Sequence, residues 1–297
     1  MIKIRVPATS ANMGPGFDSL GVALELYNYI TVEEEGEGLS IEILDETSKF
    51  LPKNEKNLVY RCMNRVFEKV GYTPKGIKLI LENNIPVTRG LGSSSAVIVG
   101  GLYAGNALAG YPLTKEELLS MAVEIEGHAD NVTPAMMGGF TVSVLQKDKH
   151  CYVCHRLNDD LRFAAIIPDF PLATKKSRSI LPRTVSHRDA AYNAGHSALL
   201  VSSLISGDYS NIRAAIGDRL HQYYRKTLIP SMDELFNICY RHGALGVYLS
   251  GAGPTLVAII GEQNKNFNPE VSRILAQKMQ NWRLEILKAD NLGVTEI

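Results

Sequence analysis

The residues with the densest chemical potential form one run, Pro86-Val87-Thr88-Arg89-Gly90-Leu91-Gly92-Ser93-Ser94-Ser95-Ala96. Glycines let a chain take positive φ and bring backbone N–H groups close to a ligand. Three adjacent serines add hydroxyls that suit phosphate oxygens or a metal ion. The run lies between an extended stretch, Lys78-Leu79-Ile80-Leu81, and an apolar stretch, Val97 to Asn106, that reads as a buried helix. It therefore sits at a helix N-terminus, where N–H groups lack intrahelical partners and the macrodipole is positive. The physical reading is an anion cradle for a nucleotide phosphate. A Gly/Ser-rich turn with a serine cap would look the same from these residues alone. The run is not a Walker A loop, because no lysine lies between Lys78 and Lys115. Gly90 and Gly92 lack the third spaced glycine of a dinucleotide fingerprint.

Other polar groups stand out by position. Asn12 and Asp18 fall on a loop dense in turn residues, Pro7 to Gly21. Glu126-Gly127-His128-Ala129-Asp130-Asn131 puts two carboxylates, a histidine and an amide at the end of an expected helix, where capping alone would also gather them. Thr174-Lys175-Lys176-Ser177-Arg178 reads as a short basic, solvated loop, and Arg225 falls on what reads as a surface helix. Cys151-Tyr152-Val153-Cys154-His155 has the spacing of c-type haem attachment. It alternates like a strand, and no second cysteine or histidine pair completes a zinc site.

The elements that must position these groups follow from pattern. A first strand is predicted over Lys3–Val6 and one or two more over Val22–Val32. Another is predicted over Leu39–Leu44, and a helix from Asn57 to about Val70, capped by Asn57 and ended by Gly71. After the glycine-serine run, Thr114 and Glu117 form a capping box for a helix ending near Gly127. Met136–Leu145 and Cys151–Arg156 read as a strand hairpin. A boundary at Asn158–Asp160 divides residues 1–160 from 161–297. The second part reads as a strand from Phe163, helices over 186–205 and 232–241, a hairpin with a glycine turn at Gly251–Gly253, a helix over 271–281 and a strand at 283–287. That order is an α+β, ferredoxin-like one.

Composition bounds the function. Of 297 residues, 45% are hydrophobic and 21% charged, and 31 Lys+Arg balance 31 Asp+Glu. That suits a globular chain of one large or two ordinary domains. It argues against a nucleic-acid partner, which would favour a basic excess. No apolar run reaches membrane-span length, and the start alternates like a strand rather than a signal peptide. Cys62, Cys151, Cys154 and Cys239 fit a reducing compartment. The expectation is a cytoplasmic protein with no membrane partner.

Three segments resemble one family in order and spacing. Pro86 to Ala96 resembles the phosphate loop of the GHMP small-molecule kinases. Pro7 to Gly21, with Ala11-Asn12-x-Gly14-x-Gly16-Phe17-Asp18, resembles their first motif, and Val247 to Ile259 resembles the third. Glu126 to Ala135 and the first motif resemble the homoserine kinase branch, as do the segments ending at Arg178 and Arg225. The resemblance implies a two-domain fold, with an N-terminal domain like ribosomal protein S5 and a C-terminal ferredoxin-like domain. It implies ATP on residues 86–96, Mg²⁺ on Ser94 and Glu126, and L-homoserine on Asn12, Asp18, His128, Asn131, Thr174, Arg178 and Arg225. Family habit points to a homodimer, and no segment marks an interface.

The implied reaction is phosphorylation of L-homoserine to O-phospho-L-homoserine in threonine biosynthesis. Arginines suit the carboxylate and Asp18 the ammonium, while Asn12 and Asn131 suit the reacting end. Asn131 cannot take a proton, so no dedicated base is expected, with Asp130 and Asp18 as rivals. Two alternatives stand: a GHMP kinase with another acceptor, and a nonenzymatic binding module sharing the N-terminal fold.

Overall fold

The computed structural model describes residues 1–147 and 149–297. The first half contains β1 (Ile2–Ala11), β2 (Leu20–Glu34), β3 (Gly38–Ile43), α1 (Leu58–Val70), β4 (Gly76–Asn83), α2 (Ser93–Leu108), α3 (Lys115–Glu126), α4 (Val132–Met137), β5 (Phe140–Gln146) and β6 (Lys149–His155). The second contains β7 (Leu161–Pro168), α5 (Thr174–Ser179), α6 (His187–Ser206), α7 (Ile212–Ala215), α8 (Gln222–Arg225), α9 (Met232–Arg241), β8 (Gly246–Leu249), β9 (Leu256–Gly261), α10 (Phe267–Lys278), β10 (Trp282–Leu287) and β11 (Thr295–Glu296).

Two sheets organise these elements. The first has the path β11-β1-β2-β4-β3, and the β5–β6 hairpin joins it at the start of β2. β1 and β2 pair antiparallel from Ile2↔Val32 to Ala11↔Gly21, while β3 and β4 are parallel. Apolar on every side, α2 is buried between β1 and β2 on one face and α1 and α3 on the other. Gly100 leaves room there for Val6 and Ile30, and Gly101 for Val59 and Cys62. The second sheet has the order β10-β7-β9-β8, the ferredoxin-like arrangement expected from sequence. Strand alternation splits its contacts. Phe163, Ala165, Val257 and Ile259 join the core of the first half, with Leu200 and Ile216. Ala164, Ile166, Leu256 and Ala258 pack under α9 and α10.

Helix boundaries marked by caps agree with the sequence. Asn57 accepts from Val59 N and Gly71 ends α1 in the left-handed region. Thr114 and Glu117 form the reciprocal capping box of α3. Several other boundaries are corrected. β1 runs on from Val6 to Ala11, because Pro7 falls at a register shift, a place where its missing N–H is tolerated. Met136 and Met137 end a helix rather than begin a strand; Gly138 and Gly139, at φ 78° and 71°, separate that helix from β5. Thr174–Ser179 is a short helix rather than a loop, solvated except at buried Ser177 and half-buried Arg178. The late helix begins at Phe267, four residues before the predicted start. The unpredicted β11 returns to the first sheet and pairs with β1 at Ile4↔Glu296.

Candidate active site

A cleft of about 360 Å³ lies where the two halves meet. Its floor is the glycine-serine loop entering α2. Gly92 caps α2 with φ 69° and no side chain caps the first turn, so the turn's N–H groups are left for a ligand. The loop is stitched to both halves. Thr9 N donates to Leu91 O (3.1 Å), Thr255 N to Arg89 O (3.1 Å) and Ser250 Oγ to Gly90 O (2.6 Å). Arg89 donates across to Pro168 O and Asp169 O. At Gly90, φ is 79° and a Cβ would stand 2.6 Å from Ser250 O, so this close approach needs glycine. A Cβ on Gly92 would strike Thr9 Oγ1.

Beside the loop, Ser94 Oγ and Ser95 Oγ donate to Glu126 Oε2 (3.3 Å) and Oε1 (3.1 Å). One carboxylate and two hydroxyls at a helix N-terminus are hard oxygen donors, the set that suits Mg²⁺ next to phosphates. Next along, Asn131 Oδ1 accepts from Thr9 Oγ1 (2.8 Å), which leaves its NH₂ as the group able to donate. Asp130 is 3% exposed, and its Oδ1 has no hydrogen-bond partner. Burial, with the charge of Asp18, pushes its carboxyl up to about 6, against the pull of His128 and Arg178. His128 Nδ1 lies 3.8 Å from it.

The far end is cationic. Arg178 forks onto Asp18 with bonds of 3.0 and 2.6 Å. Burial works against its charge, and Asp18 more than restores it. Asn12 is spent on structure: its NH₂ donates to Gly251 O (2.8 Å) and its Oδ1 accepts from Asp18 N (2.9 Å). Arg225 is only 1% exposed. Its hydrogen bonds run to neutral acceptors: NH1 to Gly251 O (2.9 Å) and His221 Nδ1 (3.1 Å), and Nε to Ser177 O (3.4 Å). Burial and the neighbouring Arg178 lower its affinity for its proton to a pKa of about 10. Among the described residues no carboxylate pairs with it, yet it lines the cleft.

A phosphate-type loop, a serine–carboxylate pair and a buried cation therefore line one cleft. The family description "GHMP kinases N terminal domain" matches residues 57–139, and "GHMP kinases C terminal" matches residues 200–281. A homoserine kinase of Clostridium botulinum (strain Alaska E43 / Type E3) is 47% identical over all of this chain and 99% of its own length. The chain belongs to the homoserine kinase branch of the GHMP kinases. A homoserine kinase of Caldicellulosiruptor saccharolyticus is also 47% identical, over 99% of this chain and 96% of its own. The crystal structure of homoserine kinase from Cytophaga hutchinsonii superposes with a TM-score of 0.88 at 31% identity, covering 100% of this chain and 97% of that one. A mevalonate kinase structure, at 15% identity and TM-score 0.73, shares the GHMP kinase fold.

Most of the residues named from sequence meet at this cleft. Val87, Thr88, Arg89, Gly90, Gly92, Ser93, Ser94 and Ser95 line it, as do Asn12, Glu126, His128, Asn131, Thr174, Arg178 and Arg225. Pro86, Leu91 and Ala96 do not; Leu91 and Ala96 are fully buried and anchor the loop in the core. Asp18 does not line it but is paired with Arg178, which does. Arg225 is not on a surface helix. Cys151 and Cys154 lie three residues apart on β6, hence on opposite strand faces, and cannot chelate one ion. No cluster of three His, Cys, Asp or Glu side chains able to hold a metal occurs among the described residues. Sequence reading missed the apolar arm of the cleft, formed by Leu51, Pro52, Leu58, Val59, Leu81 and Val97. These are ordinary core-type residues brought together only by folding. Asn57, also in this arm, spends its amide on Pro52 O and Val59 N. Thr9, which orients Asn131, carried no signal beyond lying in the first motif.

Proposed function

We propose that this GHMP kinase transfers the γ-phosphate of ATP to the side-chain hydroxyl of L-homoserine, giving O-phospho-L-homoserine for threonine biosynthesis. The observation that carries the choice of acceptor is Arg225. A guanidinium with neutral partners in a buried wall calls for an anion, and an amino-acid carboxylate fits its unbonded NH2 edge. Asp18 and Arg178, paired at the edge of the cleft, would offer an ammonium and a carboxylate site by exchanging partners. The purine fits the apolar arm, and the phosphates lie on the N–H groups of residues 90–95.

Ser94 and Glu126 would hold Mg²⁺, which neutralises charge on the phosphates. The acceptor oxygen attacks the γ-phosphorus, the bond to ADP breaks and its electrons leave with ADP. Asn131 donates from its NH₂ to the acceptor oxygen and holds it in line. The hydroxyl proton passes to a γ-phosphate oxygen, so the protein supplies positioning and charge stabilisation. The raised carboxyl of Asp130 favours one rival, in which that group takes the proton. The ATP-site half is residues 1–160, with 161–297 forming the second domain apart from the tail at Ala289–Ile297. The four unpaired cysteines agree with a cytoplasmic setting.

An ATP-coupled screen of small hydroxy amino acids, with 3-aminopropan-1-ol as the acceptor lacking a carboxylate, tests this reading. L-Homoserine should give the highest kcat/KM. Equal turnover of 3-aminopropan-1-ol would refute the assignment of Arg225, and a preference for a mevalonate-type or sugar acceptor would refute the reaction.

A further inference from the structure

His221 has no part in the chemistry above, yet it is completely buried against the acceptor end of the cleft. Both ring nitrogens are engaged. Nε2 lies 2.8 Å from Gly14 O, a carbonyl of the first loop, and Nδ1 lies 3.1 Å from Arg225 NH1. The carbonyl can only accept and the guanidinium can only donate. The ring must therefore be neutral, with its proton on Nε2 and a lone pair on Nδ1. Burial agrees, holding its pKa down at about 4.

The surroundings leave the ring little freedom. Phe17 stacks on it with ring centroids 5.3 Å apart. Asp218 anchors its backbone, accepting from the N–H groups of Leu220, His221 and Gln222 at 2.9, 3.0 and 2.7 Å. Asn193 bridges Asp218 to Pro15 O, and Ser197 donates to the same carbonyl, so α6 braces the loop that holds Gly14. The consequence falls on Arg225. Gly251 O and His221 Nδ1 take both protons of NH1, and Nε turns to Ser177 O. The guanidinium plane is then fixed with NH2 as its one uncommitted edge.

We propose that His221 is a positioning residue for the acceptor: as a neutral acceptor on Arg225 and a donor to Gly14, it locks the guanidinium edge that meets the substrate carboxylate to the first loop. This rests on the reading of Arg225 as a carboxylate site. Its effect falls on the acceptor, since no hydrogen bond of His221 or Arg225 reaches residues 86–96.

Three measurements test it together. His221→Leu should raise the KM for L-homoserine roughly tenfold, about the worth of one hydrogen bond to a charged group, while kcat and the KM for ATP stay within about twofold. His221→Gln, whose amide can accept from Arg225 and donate to Gly14, should recover most of that loss. Toward 3-aminopropan-1-ol both variants should match the parent protein. Equal penalties with the two acceptors, a fall confined to kcat, or no recovery with Gln would overturn the proposal. If the parent protein itself does not distinguish the two acceptors, the carboxylate reading fails first and the proposal with it. Nitrogen-15 NMR of the unsubstituted protein at neutral pH needs no variant to fold: the His221 ring should show a protonated Nε2 and a bare Nδ1, and a protonated Nδ1 would refute the geometry.

Discussion

Asp130 offers a test in which stability and mechanism are read from one substitution, Asp130→Asn. An aspartate ordinarily ionises near 3.8; here burial, then the charge of Asp18, raises that to about 6. The folded state thus holds the proton more tightly than the unfolded chain. Below about pH 3 both states are protonated and nothing is lost. As pH rises toward 6 the unfolded chain ionises first, and stability falls. Above that the penalty is constant, at about 3 kcal/mol for a rise of this size. Asparagine cannot ionise, so the variant should gain on the parent protein by about 3 kcal/mol between pH 3 and pH 7, whatever fixed offset its NH₂ introduces. Urea unfolding across this range, followed by the fluorescence of the single tryptophan, buried Trp282, reads the difference. A difference that stays flat with pH would show that Asp130 ionises like an exposed aspartate, and the account of its burial would be wrong. The same protein decides the route of the proton. With no base in the site, kcat at neutral pH stays within about threefold; a loss of two orders of magnitude or more, the ordinary worth of a general base, would make Asp130 that base.

Replacing Arg225 by Met removes the charge-assisted hydrogen bond from NH2 to the carboxylate, so the KM for L-homoserine should rise by up to about 100-fold with the KM for ATP unchanged; steady-state kinetics with each substrate varied will separate the two. Gly92→Ala puts a Cβ into Thr9 Oγ1 at a left-handed backbone position, so kcat/KM should drop by at least about tenfold as Asn131 loses its orientation, with a backbone cost of about 1 kcal/mol in thermal melts. Glu126→Gln should raise the Mg²⁺ concentration for half-maximal rate about tenfold and leave the KM for L-homoserine alone; an unaltered Mg²⁺ requirement would exclude Glu126 as a ligand.

What the sequence showed depended on whether a signal is local. Caps, glycine stops and the glycine-serine run act over a few residues, so α1, α3 and the loop entering α2 were legible. The ferredoxin-like strand order followed from the succession of elements. Pairings across long separations left no trace. β11 is two residues long and exists only because β1 is there to receive it. The pairing of Asp18 with Arg178, 160 positions apart, is not legible in motifs that give the two residues separately to the ammonium and the carboxylate. Arg225 reads as a surface residue in the sequence because its burial comes from distant loops folded over it; NH1, for instance, donates to Gly251 O at 2.9 Å. Charge buried by tertiary packing has no periodicity to read.

The return of the chain's last residues to β1 has a consequence for how this enzyme is made. Val294 is fully buried and donates to Ala135 O, Gly139 N donates to Asp290 O, and Ile297 N to Lys3 O. The outer edge of β1, whose far end carries Thr9, the partner of Asn131, and leads into Asn12 at the cleft, is closed at Ile4 and Arg5 by residues translated nearly 300 positions after it begins. While the ribosome is still delivering the second half, that edge stays open to pairing with another nascent chain. The visible seam between the two sheets is therefore not a seam in folding. Co-expressed fragments cut near residue 160 would reach an active enzyme only by finding each other, with the second fragment's tail acting as the clasp.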